Sequence, residues 1–225
     1  MSWEVSRLNS KEIIAKRVAQ EIKDGDVVNL GIGLPEMVAN YIDEDMTVYF
    51  QAENGIMGMG GVAEGDDIDV NVINAGCKHV LTNKGACYFD SATSFAIIRG
   101  GHVDITVLGV LQVDETGSFA SHKIPGKRIP GMGGAMDLVT GAKQVIVATT
   151  HTKKGGTPTI VKKISLPATA VNKVNMIVTE LAVIRVTDAG LVLEEIAEGH
   201  TIEEIQELTE PQLIVSTHLK KMFSE

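Results

Sequence analysis

Glu53 is the residue whose surroundings point most directly to chemistry. An apolar, β-rich run at 46–50 leads into it, and Asn54-Gly55 and then Gly58, Gly60 and Gly61 follow it. A carboxylate aimed from the end of an apolar strand is partly desolvated, and glycines let backbone or ligand come close. Such a group can act as a base or as a nucleophile. The competing reading is a type I′ hairpin at Asn54-Gly55, with Glu53 an ordinary surface residue. Against a hairpin, residues 56–61 are glycine-rich and make a poor return strand.

Three more stretches can meet a substrate. Asn29-Leu30-Gly31-Ile32-Gly33-Leu34-Pro35 reads as strand, glycine turn and helix start, an arrangement that suits an anion at the helix N-terminus. It is not a dinucleotide fingerprint, because the third glycine is missing. Residues 118–134 read as a long loop ending in Gly131-Met132-Gly133-Gly134. Loops of that length are commonly functional, and its glycines free backbone N–H groups to converge as an oxyanion hole requires. The basic loop His151-Thr152-Lys153-Lys154-Gly155-Gly156 follows an apolar strand, where ligands of α/β sheets sit. There Lys153 or Lys154 can meet a phosphate, although a solvated lysine pair is the simpler reading. Cys77, His79, Cys87 and His102 match no common zinc spacing. No Gly-x-Ser-x-Gly elbow supports a serine hydrolase.

The elements that must hold these residues alternate. Ile14, Val18 and Ile22 stripe a helix over 10–23, with Ser10 as its cap and Gly25 as its stop. Strands are expected at 26–30, 46–50, 103–113 and 143–149, and a half-exposed one at 67–73. Asp90 or Ser91 caps a helix to Ile98, and Asp137 starts another. Toward the C-terminus, 174–186 and 191–196 flank Asp188-Ala189-Gly190 as a hairpin. Thr201 and Glu204 form a capping box for a helix to Leu208, and 212–217 is a last strand. The expectation is one α/β domain over 1–225.

Bulk properties narrow the class. The 225 residues are 44% hydrophobic and 22% charged, with a net charge of −9. An acidic chain opposes nucleic-acid binding, and an anionic ligand needs a local positive patch. Two cysteines make no disulfide framework. No run has transmembrane length and no signal peptide precedes the first helix, so a cytoplasmic protein is expected.

Glu53-Asn54-Gly55-Ile56-Met57-Gly58 resembles the Glu-Asn-Gly signature of the family I CoA-transferases. The stretches at 29–35, 89–102 and 125–137 fit the same family, in order, over residues 11–196. The likeness is to the beta subunit of the acetoacetate/butyrate or 3-oxoacid CoA-transferases. It implies a mixed, largely parallel α/β sheet covered by helices, as in the CoA-transferase and sugar-phosphate isomerase superfamily. It implies CoA transfer from an acyl-CoA to a short-chain carboxylic or 3-oxo acid through a glutamyl-CoA thioester on Glu53. Gly131, Gly133 and Gly134 would steady oxyanions, and Asn54 would orient the glutamate. Asn29, Gly31 and Gly33 would border the pantetheine arm, with Lys153 near a CoA phosphate. CoA is then a substrate, with no metal or redox cofactor. An A subunit would complete the site in an A2B2 heterotetramer, without nucleic acid or membrane. Ala52 departs from the serine frequent in the family. An acyl-CoA hydrolase and a ligand-sensing domain of the same fold are the alternatives.

Overall fold

The computed structural model describes residues 8–126 and 131–223. Thirteen strands and four α-helices are assigned among them. The chain begins with α1 (Ser10–Ala19), then β1 (Val27–Leu30), a 3-10 helix (Pro35–Tyr41), β2 (Tyr49–Ala52), β3 (Ile56–Val62) and β4 (Val80–Tyr88). Next come α2 (Ser91–Arg99), β5 (Ile105–Leu108), β6 (Gln112–Asp114), β7 (Phe119–Ala120), α3 (Ala135–Gly141) and β8 (Gln144–Ala148). The last third holds β9 (Ile160–Val161), β10 (Met176–Val178), β11 (Ala182–Thr187), β12 (Gly190–Ile196), α4 (Ile202–Glu207) and β13 (Ile214–Lys221).

Ten strands form one sheet in the order β13-β12-β11-β10-β8-β5-β1-β2-β3-β4. The middle five, from β10 to β2, are parallel. The β2–β3–β4 flank is antiparallel, as is β10–β11–β12, while β13 lies parallel to β12. The expected mixed, largely parallel α/β sheet with helical cover is what forms. β6, β7 and β9 make a separate small sheet.

Strand alternation sorts the core into two layers. Ile105 and Val107 of β5, with Ile146 of β8, join Ile14 and Val18 of α1 on one face. Leu108, Val145 and Val147 face the other way, against Ile98 of α2, Leu138 of α3 and the small sheet's Val113 and Phe119. Each such side chain, fully buried, contributes roughly 1.5–3 kcal/mol, so the central strands are clamped from both sides.

Several local expectations are corrected. α1 is capped by Asn9, not Ser10: its side chain accepts from the Lys11 and Glu12 amides, and Glu12 reaches back to the Asn9 N–H. The helix ends at Ala19. Residues 103–113 are two strands, because the chain leaves the large sheet after Leu108 and enters the small one at Gln112. Residues 67–73 form no strand. Asp69 there accepts from the Asn71 amide, and this local bond competes with sheet pairing. The hairpin dismissed at Asn54-Gly55 exists, since β3 pairs antiparallel with β2. β3 survives its glycines because β4 pairs with its other edge, with register shifts at 57–59 and 59–62. By contrast Asp90 caps α2, and Thr201 and Glu204 form the capping box of α4, as the sequence indicates. Residues 127–130 of the long loop lie outside the described residues.

Candidate active site

Three adjacent parallel strands, β5, β1 and β2, end at the rim of one cavity of about 650 Å³. Ligands of open α/β sheets sit beyond such carboxyl ends. Glu53 stands one residue past β2, half-buried, in the turn to β3. The turn is closed by the Gly55 N–H donating to the Ala52 carbonyl at 2.9 Å. Gly55 has φ +122°, and a Cβ there would run into the Phe89 carbonyl, so glycine is required. Glu53 is therefore both a hairpin-turn residue and a residue facing the cavity.

The glycine loop lies directly on its carboxylate. The Gly134 N–H donates to Glu53 Oε1 at 3.1 Å. A Cβ on Gly134 would stand 2.7 Å from Glu53 Oε2 and 3.0 Å from its Cδ. At Gly133, φ +58°, a Cβ would be 3.4 Å from Oε1. Backbone thus approaches the carboxyl as closely as only glycine allows. The arrangement presents one carboxylate oxygen to a preorganised donor and leaves the group on the cavity wall, which suits nucleophilic attack on a carbonyl.

Beneath Glu53 runs a buried polar link. Asn29 of β1 donates to the Gln51 carbonyl at 3.0 Å and to Gln51 Oε1 at 2.7 Å. Gln51 Nε2 in turn donates to Ser94 Oγ of α2 at 2.8 Å. All three residues are buried. Gln51 lies on β2 two residues before Glu53, so this link fixes the strand that aims the carboxylate.

Of the residues singled out in the sequence, Glu53, Asn29, Gly31, Gly131, Gly133 and Gly134 line this cavity together. Gly31 is pressed against β5, where its N–H bonds the Val107 carbonyl at 2.8 Å. Gly33 is exposed, and its N–H is taken by Glu36 Oε2 at 3.0 Å, so the 3-10 helix satisfies its own N-terminus. Asn54 turns outward and donates to the Ile73 carbonyl at 2.7 Å, rather than to the Glu53 carboxyl. Lys153 lies in a separate turn closed onto Thr157, away from the cavity lining. Cys77 and Cys87 are free exposed thiols, and no metal-like group of His, Cys, Asp or Glu occurs among the described residues.

Sequence reasoning missed two parts of the wall. Glu36 accepts from Lys78 Nζ at 2.6 Å and from Asn74 Nδ2 at 3.2 Å, and all three residues line the cavity. Ser121 and His122 also line it, both anchored on the buried Thr169 hydroxyl at 2.9 Å. Contacts between residues 36 and 78, or 122 and 169, leave no local pattern in a sequence. The charged types alone were visible.

A family profile described as Coenzyme A transferase matches residues 11–208. The chain is 49% identical over 215 residues to the beta subunit of the acetate CoA-transferase of Haemophilus influenzae, covering 96% of each. It is 46% identical to the B subunit of a probable succinyl-CoA:3-ketoacid coenzyme A transferase of Bacillus subtilis, over 92% of this chain and 96% of that one. Among solved structures, an acyl-CoA transferase of Escherichia coli O157:H7 shares the fold with a TM-score of 0.76 at 23% identity. That match covers 95% of this chain but 43% of the other, so the chain spans less than half the length of that enzyme. The matched profile, and identities near one half along almost the whole length, show that this chain belongs to the coenzyme A transferase family.

Proposed function

We propose that this chain is the glutamate-bearing subunit of a two-subunit CoA-transferase acting on short-chain carboxylic or 3-oxo acids. The observation that carries the reading is the Glu53 carboxyl on the cavity wall, with the Gly134 N–H already on one of its oxygens. Glu53 attacks the acyl-CoA carbonyl, the C–S bond breaks, and an acyl-glutamyl anhydride and CoA thiolate result. The thiolate attacks the glutamyl carbonyl carbon and releases the donor acid, leaving a glutamyl-CoA thioester. The acceptor carboxylate then attacks that thioester, and the two steps run in reverse to give the new acyl-CoA and free Glu53. A covalent carboxylate route splits one difficult exchange into accessible steps. The Gly134 N–H is placed to steady the glutamyl oxygen as it gains charge. CoA is substrate here, and the steps as written call for no metal or redox cofactor.

The relatives named as beta or B subunits support a partner A subunit that completes the CoA site, and an A2B2 assembly belongs to the same proposal. The names of the relatives make acetate, succinate and a short 3-keto acid the first acids to try. The test is a panel of acyl-CoA donors and carboxylate acceptors, run with the chain alone and with its A subunit. Acceptor-dependent formation of new acyl-CoA, only by the complex, is expected. CoA release at the same rate without acceptor would make the protein a hydrolase. Full transfer by the chain alone would remove the partner.

A further inference from the structure

The charges on the cavity wall are unevenly shared. Among the described residues that line it, Glu53 and Glu36 are carboxylates and Lys78 is the one lysine or arginine. The formal charges of these three side chains sum to one negative charge. Glu36 is fully engaged: Oε2 accepts from Lys78 Nζ at 2.6 Å and from the Gly33 N–H at 3.0 Å, and Oε1 accepts from Asn74 Nδ2 at 3.2 Å. Glu36 is thereby fixed, with its side chain 18% exposed. The Lys78 side chain remains 48% exposed, and its ammonium has two further N–H donors beyond the one given to Glu36.

We infer that Lys78 receives the carboxylate of the acceptor acid, and that the charge on Glu53 sets the order in which the two substrates enter. The inference rests on the transferase reading above. With Glu53 ionised, the wall is net negative, so it repels a free carboxylate and admits the uncharged thioester end of an acyl-CoA. Once Glu53 carries CoA as a thioester, its charge is gone. The remaining Lys78 and Glu36 cancel, and Lys78 can share its open donors with an incoming carboxylate. A charge-assisted hydrogen bond of this kind holds the acid in the same cavity as the thioester carbonyl it must attack. When the products leave, the ionised Glu53 again disfavours the acid. The same wall that binds the acceptor in one half of the cycle therefore excludes it in the other.

Steady-state kinetics of the A/B complex at pH 8, with acyl-CoA and acid varied separately, test this. Lys78→Met should raise KM for the acid about tenfold or more, the scale of losing a charged hydrogen bond, with a far smaller change in KM for acyl-CoA. Lys78→Arg should recover most of the loss. Glu36→Gln removes one negative charge from the wall, so the acid should become a competitive inhibitor against acyl-CoA at concentrations where the parent enzyme shows none. Equal rises in both KM values for Lys78→Met, or no rescue by arginine, would overturn the role of Lys78. Acid inhibition unchanged in Glu36→Gln would overturn the charge ordering. Mass analysis of the acyl-CoA-treated variants separates these failures from failure of the transferase reading, because CoA attachment to Glu53 does not depend on the acid.

Discussion

At the scale of single residues, the close approach of backbone to Glu53 is the decisive feature. Gly134 is the cleanest probe, because its φ is −81° and its ψ is 8°, a conformation alanine accepts. The added methyl group would nevertheless lie 2.7 Å from Oε2 and push the carboxyl aside. Displacement by about 1 Å can cost about 100-fold in rate, so Gly134→Ala should lose about that much kcat with its melting temperature little changed. Valine at Gly133 would add strain at φ +58°, which confuses the two effects. A second residue-scale prediction concerns His151, which is fully buried. Thr209 donates its hydroxyl to the Ile205 carbonyl at 2.8 Å, so it accepts from His151 Nε2, and Nδ1 faces the Thr179 hydroxyl at 2.9 Å. Burial, and secondarily the charge of His200, push the imidazole down to about 4. The unfolded chain takes up this proton near pH 6.5 and the folded chain does not, so stability is lost as pH falls from there to about 4. The contribution is about 3 kcal/mol, and denaturant melts of the parent and of His151→Gln across that window should show the slope reduced in the variant. Glu53 and the loop glycines were legible because local composition marks them. Glu36, Lys78 and His122 were not, because their partners come from distant turns of the chain.

At the scale of elements, helices were the most legible parts, since caps and periodic apolar stripes are local signals. Strands that depend on neighbours were not. β3 looks like a poor strand by composition, yet it pairs on both edges, while the alternating 67–73 run makes only an isolated bridge, Ile73 to His79, and its Asp69 bonds locally to the Asn71 amide. One tie that no pattern announced holds α1 to the sheet. Arg17 donates to both carboxylate oxygens of Glu195 on β12, at 2.6 and 2.9 Å, and to Glu21 at 2.9 Å. Burial opposes charge on Glu195, but the hydrogen bonds from Arg17 and Lys220 outweigh it and hold the carboxyl below its usual range. Arg17→Met leaves that buried carboxylate with only the exposed Lys220 at 3.1 Å. Removing one partner of a buried pair costs about 3–5 kcal/mol, so the midpoint of urea unfolding should fall sharply. An unchanged midpoint would mean that Lys220 alone satisfies Glu195.

At the scale of the whole molecule, the sheet order places the ends of β5, β1 and β2 side by side, and this is what turns scattered motifs into one cavity. That order was implied by resemblance rather than by spacing, because strand neighbours separated by more than fifty residues, such as β1 and β5, are set by topology. The cavity lining includes Ile32 and Val62, which are 66% and 58% exposed, an apolar rim suited to being covered in a larger assembly. No helix among the described residues is long and apolar enough to cross a membrane. Glu53 is expected to become covalently attached to CoA. The most direct measurement is peptide mass analysis of the A/B complex after exposure to acyl-CoA without acceptor. CoA is expected on the peptide containing Glu53, removed by adding the acceptor acid and absent in Glu53→Gln. CoA on another residue, or transfer through a ternary complex with no adduct, would contradict it.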